Sequence, residues 1–240
     1  MEYRYNAIVL KKREIGETDR LYILYTEEQG KIRVVAKGVR KPEAKLAGQL
    51  ETLMQGLVIV VKGKGMGKIA GAVAENIFPA LRGDLETLQP VLGSIALFER
   101  LVDLEEPDPE LFSLLARYLL LVEDFAKRNM KEKVEITTLA FLFQFLSHLG
   151  YRIETGTCAV SGERLRPGEQ HFFSPSAGGI LSGEHIHSAP QAFPISENAI
   201  KLIRVFLGNR LENIGRLSAS ARECAEVRQV ATRFLQWIGH

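Results

Sequence analysis

The sequence predicts an α+β protein in which a small β-barrel or sandwich comes first and helices follow, and three observations carry that reading. Between Tyr3 and Glu75 the apolar residues fall in short β-rich runs broken by turn residues, with no helical period. After Pro79 they recur three and four residues apart. Residues 151–195 lose periodicity and gather Gly, Ser, Pro and His, and helical spacing then returns. The chain therefore divides into a barrel over 1–79, the first part of a helical bundle over 80–150, a loop-rich region over 151–195, and C-terminal helices over 196–240 that complete the helical domain.

Residues 3–11 and 21–26 read as strands, Glu28-Gln29-Gly30 as a tight turn, and residues 31–37 as a third strand ended by Gly38. Strands near 50–61 and 68–75 flank the glycine-rich Gly63-Lys64-Gly65-Met66-Gly67. Five strands in so short a span suit a barrel of the OB type, because a closed sheet leaves no exposed edge. Farther on, Val91, Ile95, Phe98, Leu101 and Val102 form one apolar stripe, which Glu105-Glu106-Pro107 ends. Asp108-Pro109-Glu110 supplies an N-cap, a proline at the first helical position and an acid in the first turn of a second helix. A third helix spans about 133–149, with Gly150 placed as its C-terminal cap. Ser196 caps a helix near 197–207, and Ser220 with Glu223 makes a capping box for a last helix through Trp237.

Composition excludes several classes. With 46% hydrophobic residues in 240, the chain can bury real cores. Its apolar runs stop short of the roughly 18 to 20 residues that cross a bilayer, and Met1-Glu2-Tyr3-Arg4 does not open a signal peptide, so a soluble cytoplasmic protein with no membrane partner is expected. Cys158 and Cys224 make no disulfide framework, and neither has a second cysteine at metal-ligand spacing. The net charge of +2 hides an asymmetry: residues 1–80 carry 14 Lys/Arg against 9 Asp/Glu, whereas residues 81–150 carry 7 against 12. A polyanion is drawn to the front of the chain.

Along the third strand, alternation places Lys31, Arg33, Val35 and Lys37 on one face and Ile32, Val34 and Ala36 on the other. Arg40, Lys41 and Lys45 carry the charge into the next connection, and Lys62, Lys64 and Lys68 decorate the glycine hairpin. Such cations release condensed counterions from a phosphate backbone, which predicts sequence-independent binding that weakens steeply with salt. Tyr3, Tyr5, Tyr22 and Tyr25 lie on the same module and offer either base-stacking surfaces or core. No enzyme is expected. Gly63-Lys64-Gly65-Met66-Gly67-Lys68 fails the spacing of a phosphate-binding loop, since Lys62 and Ile69 stand where Gly and Ser/Thr are needed. No nucleophile and base fall into a recognisable pattern, and Asp103, Glu105, Glu106, Asp108 and Glu110 read as a solvated helix connection.

Several segments taken together resemble the RecO family of recombination mediators. They are Ala7-Ile8-Val9-Leu10 leading to Gly16-Glu17-Thr18-Asp19-Arg20-Leu21, then Gly30, Ala36-Lys37-Gly38-Val39-Arg40-Lys41, and later Phe172-Phe173-Ser174-Pro175 with Gly178-Gly179. The resemblance implies an OB-fold that binds single- and double-stranded DNA, an α-helical domain and a small zinc-finger-like insertion. It further implies a bacterial, nucleoid-associated repair mediator that anneals complementary strands and helps RecR load recombinase onto strands covered by single-strand-binding protein, whose acidic C-terminal tail it recognises. The insertion departs from the family: its two Cys-x-x-Cys pairs correspond to Cys158-Ala159-Val160-Ser161 and Ser182-Gly183-Glu184-His185, and a neutral serine hydroxyl is a poor substitute for a thiolate on zinc. No cofactor is expected, and the insertion is read as degenerate.

For the acidic tail, a hydrophobic notch rimmed by cations is expected between the second and third helices, from Arg117, Tyr118, Lys127, Arg128, Lys131 and Lys133. Two other readings stay open at this point: an RNA-binding OB protein tied to translation or ribosome assembly, and a protein-only adaptor whose basic face meets an acidic protein.

Overall fold

The computed structural model describes residues 1–240 except 42, 43, 45, 64, 190 and 240. The chain forms two compact units, Met1–Met130 and Lys131–His240.

The first unit opens with β1 (Glu2–Ile15), β2 (Asp19–Thr26), β3 (Gly30–Ala36), β4 (Gln55–Val61) and β5 (Gly67–Asn76), which close into a barrel in the order β1-β2-β3-β5-β4. β4 returns antiparallel to β1, and only the short β3–β5 seam is parallel among these pairs. Alternate residues fill the interior: Tyr5, Ala7 and Val9 of β1, Tyr22 and Leu24 of β2, Ile32, Val34 and Ala36 of β3. β1 runs four residues past the expected end, because Lys12, Arg13 and Glu14 still pair with β2 although they carry no apolar alternation. A one-residue bulge at Leu10, between the pairs Val9↔Leu24 and Lys11↔Ile23, shifts the phase of the strand. β4 starts later than expected. Leu50, Leu53 and Met54 are buried, but as a turn beneath the barrel rather than as strand.

Ala7 to Leu10 are all buried, which requires cover on both faces of β1. The helices α1 (Pro79–Gly83), α2 (Leu85–Leu101) and α3 (Pro109–Lys127) complete the unit, and Tyr25 of the barrel meets Phe98 of α2 edge-on at 4.8 Å and stacks at 6.2 Å on Phe112 of α3. Asp84 caps α2 by accepting the Glu86 N–H, and Asp108 accepts the Leu111 N–H with Pro109 at the first helical position, as the sequence reading has it. Buried Glu123 accepts the N–H groups of Ala80 and Leu81 and so caps α1 from α3. Residues 80–130 thus group with the barrel in one compact unit.

The second unit is built on α4 (Lys131–His148), buried from Val134 to Leu146 on almost every side. A three-stranded sheet in the order β7-β6-β8 follows: β6 (His171–Ser174), β7 (Gly179–Ser182) and β8 (Phe193–Ile195). It lies inside the stretch expected to be loop. Gly179 lets the chain pass beside Glu154, whose carbonyl would lie 2.7 Å from any Cβ there. Then come α5 (Glu197–Gly208), α6 (Leu211–Ile214) and α7 (Ala221–Ile238), with Ser196 as N-cap of α5 and the Ser220–Glu223 capping box opening α7. Phe143 of α4 packs on Phe206 of α5, and Phe173 of β6 meets Phe234 of α7 edge-on at 6.1 Å. Among the described residues no helix is long and apolar enough to cross a membrane.

Candidate nucleic-acid interface

On β3 the alternation holds. Ile32, Val34 and Ala36 point into the barrel, while Arg33 is exposed, Val35 half-buried and Lys37 exposed on the outer side. Register extends this face across the sheet: Val35 is paired with Leu21 of β2 and with Lys68 of β5, and Leu21 is paired with Arg13 of β1. Arg13 and Lys68 are exposed, so one transverse row runs Arg13, Leu21, Val35, Lys68, with Arg33 and Lys37 two residues to either side of Val35. None of these four cations has a carboxylate within ion-pair distance among the described residues. Leu21 and Val35 separate Arg13 from Lys68, and Arg33 and Lys37 are diagonal neighbours of Lys68, so the charges are spread over the face rather than paired directly across strands. Arg13 lies beyond the expected end of the first strand, and the bulge at Leu10 turns it outward in the extended β1.

The turn after β3 is held from the β1–β2 hairpin. Asp19 accepts the Gly38 N–H at 2.8 Å and the Thr18 hydroxyl, and the Arg40 N–H donates to the Thr18 carbonyl at 2.9 Å. Gly38 takes φ +64°, which favours glycine. The Gly38 N–H, aided by Lys37 and Lys41, holds the Asp19 carboxyl below the usual carboxylate range despite the opposing effect of desolvation. The two segments that resemble the RecO pattern at 16–21 and 36–41 are therefore one clasp. Lys41 is exposed, but Arg40 is turned back, with Nε 3.3 Å from Glu14, which also lies 3.7 Å from Arg20.

Two expectations need correction, for Lys31 and Lys62, and the alternative left open for the tyrosines is resolved. Lys31 is 7% exposed, and its ammonium donates to the carbonyls of Glu99 and Val102 at the C-terminal end of α2. Burial draws its pKa down, with Glu99 and Asp103 opposing. The cover comes from residues 102–106: the Glu105 N–H donates to the Lys31 carbonyl, and a Cβ on Gly30 would sit 2.0 Å from the Glu106 carbonyl oxygen. Lys31 is thus a helix-end cap, not part of a surface track. Tyr5, Tyr22 and Tyr25 are buried and serve the fold. Lys62 is half-buried, its Nζ donating to Gln29 at 2.9 Å and lying 5.3 Å from the ring centroid of Tyr3, so its charge is already engaged within the barrel. Lys45 and Lys64 lie outside the described residues.

The residues expected to rim a partner notch fall in both units. In the first, Tyr118 is fully buried and is no rim residue, while the Arg117 Nε donates to the Ser113 carbonyl. Lys127 and Arg128 are exposed and pair with Glu123 and Asp124 one turn earlier. In the second, Lys131 is exposed and Lys133 donates to the Leu217 carbonyl.

Cys158, Ser161, Ser182 and His185 converge in the second unit. Ser182 Oγ lies 2.9 Å from His185 Nδ1, and the Cys158 sulfur lies 3.8 Å from both groups. Burial alone would raise the Cys158 thiol, yet the N–H groups of Ser161, Ser182 and Val160, with the Ser161 hydroxyl, lower it to about 6. Buried Cys224, with no such donors, is pushed up to about 11 by burial. Among the described residues no three His, Cys, Asp or Glu side chains are grouped to hold a metal.

Comparison with known proteins gives a single answer. Residues 1–78 match the family described as Recombination protein O N terminal, and residues 82–238 match Recombination protein O C terminal. The chain is 30% identical over 237 residues to a DNA repair protein RecO of Desulfitobacterium hafniense, covering 98% of this chain and 84% of the relative. It is also 30% identical to the protein of that name from Roseiflexus, over 98% of this chain and 81% of the relative, and 34% identical to that of Myxococcus xanthus, over 75% and 70%.

Proposed function

The chain belongs to the RecO family, whose curated members are named DNA repair proteins, and on that premise we propose that it is a non-enzymatic mediator of DNA repair and recombination that binds DNA on the outer face of its barrel. One observation carries the placement: Arg13, Arg33, Lys37 and Lys68 share a face around Val35 with no carboxylate partner among the described residues. We read the closed β1-β2-β3-β5-β4 order as an OB-type barrel, a scaffold suited to strands of nucleic acid.

In this reading single- or double-stranded DNA lies along the row, with Lys41 beyond its end. Arg40, already paired with Glu14, contributes less than the sequence pattern suggests. Annealing needs no covalent step, because a cationic face that holds one strand and admits a second lowers the phosphate repulsion between them. Loading of recombinase with RecR, and capture of the single-strand-binding protein's tail by Arg117, Lys127 and Arg128 of α3 and its end, belong to the same proposal. The test is a salt titration of single-stranded DNA binding. Replacing Arg13, Arg33, Lys37 and Lys68 by alanine should reduce the slope of log K against log salt by about three and leave the melting temperature almost unchanged. An unchanged slope would remove the barrel face from the mechanism.

We read the Cys158, Ser161, Ser182 and His185 cluster as a knuckle that keeps its shape through N–H···S and Ser–His hydrogen bonds, without zinc. Elemental analysis of purified protein should find well under one zinc per chain, and a full equivalent would overturn this.

A further inference from the structure

In the second unit a cavity of about 110 Å³ opens between the 165–171 segment and the first turns of α5. His171 forms part of its wall. That side chain is 4% exposed, and neither ring nitrogen has a hydrogen-bond partner among the described residues. Buried polar groups in native proteins are nearly always satisfied, so an imidazole with both nitrogens unmatched marks a place where something else binds.

The surroundings decide what that is. Arg166, Lys201 and Arg204 line the cavity against one acid, Glu197. The carboxylate is already engaged, accepting the Gly168 N–H and facing Lys201 at 3.6 Å. The Gly168 N–H holds the Glu197 carboxyl below its ordinary range, so it stays anionic and cannot donate to His171. Arg204 is anchored by its Nε on the Thr155 carbonyl at 2.9 Å, while the Arg166 pair with Glu169, at 3.6 Å, is exposed and weak. An excess of positive charge beside a single imidazole disfavours a metal cation and favours an anion. The cavity is also far smaller than the roughly 300 to 1,000 Å³ that house drug-sized ligands, so the anion is small. Leu165, Pro167 and Ile200 supply apolar walls, which strengthen charge-assisted hydrogen bonds by excluding water.

We propose that this cavity is a binding site for a phosphate-type oxoanion, accepted by His171, Lys201 and Arg166 and supplied either as free phosphate or as the terminal phosphate of a nucleic acid. The site is lined wholly by residues of the second unit, and the proposal does not depend on the barrel face.

The test uses the full chain. Inorganic phosphate is titrated by calorimetry and, in parallel, by following the His171 imidazole resonances, which distinguish this cavity from any other cationic surface. The wild-type resonances should shift with saturation, and Lys201→Glu, at an exposed position that leaves the core intact, should weaken binding about tenfold. A second arm compares oligonucleotides of one sequence with a 5′-phosphate or a 5′-hydroxyl. A 5′-phosphate preference that Lys201→Glu abolishes assigns the site to strand ends, and inorganic phosphate binding without that preference assigns it to free phosphate. Unmoved His171 resonances in saturating phosphate, or equal binding by wild type and Lys201→Glu, would overturn the proposal. His171→Asn serves as a check that keeps a donor and an acceptor in the wall.

Discussion

The two ends of β3 put the same chemistry to opposite uses. At its start, Lys31 is roofed by residues 102–106 and caps α2. Two residues later Arg33 faces solvent, and Lys37 follows on the same side. Charge and alternation are identical at the two places. What differs is cover, and cover decides whether a lysine stabilises a fold or waits for a polyanion.

The sharpest way to separate the ends is to disable the covered one. Lys31→Ala leaves the Glu99 and Val102 carbonyls without their donor and opens a gap under the 102–106 segment, at a cost of about 2 to 4 kcal/mol in unfolding free energy. The salt slope for DNA binding of the folded variant should match wild type. A reduced slope with unchanged stability would place Lys31 on the interface and erase the distinction.

A gentler probe acts on the open end through Asp19. Its carboxyl is held low chiefly by the Gly38 N–H. A depressed carboxylate contributes stability above its unfolded pKa, and that contribution disappears as pH falls through the folded value. On acidification through and below about pH 4, wild type should therefore lose stability more steeply than Asp19→Asn, read from melts across that range. Parallel curves would mean that the clasp around Gly38 adds little.

How far the sequence shows this contrast depends on the range of the interactions. The inward set Ile32, Val34, Ala36 is legible because it follows from strand pleat alone. The caps at Asp84, Asp108, Ser196 and Ser220 are equally local, although only the last three stand out in the sequence. Lys31 is illegible for the converse reason: its acceptors lie about seventy residues away, and nothing in residues 30–37 announces them. Arg13 is hidden because it lies beyond the expected end of the first strand and one bulged residue inverts the phase of β1. The sheet of β6, β7 and β8 escapes notice because its strands are three or four residues long, and Phe172-Phe173, buried on both sides, shows no alternation. The cavity beside His171 has no sequence signature, since its cations come from a loop and from successive turns of α5.

The roof over Lys31 also decides where this chain can be divided. Cutting after residue 79, at the junction between the two family matches, would leave an ammonium without its acceptors and strip Phe98 and Phe112 from Tyr25. The compact unit that keeps these contacts together runs from Met1 to Met130.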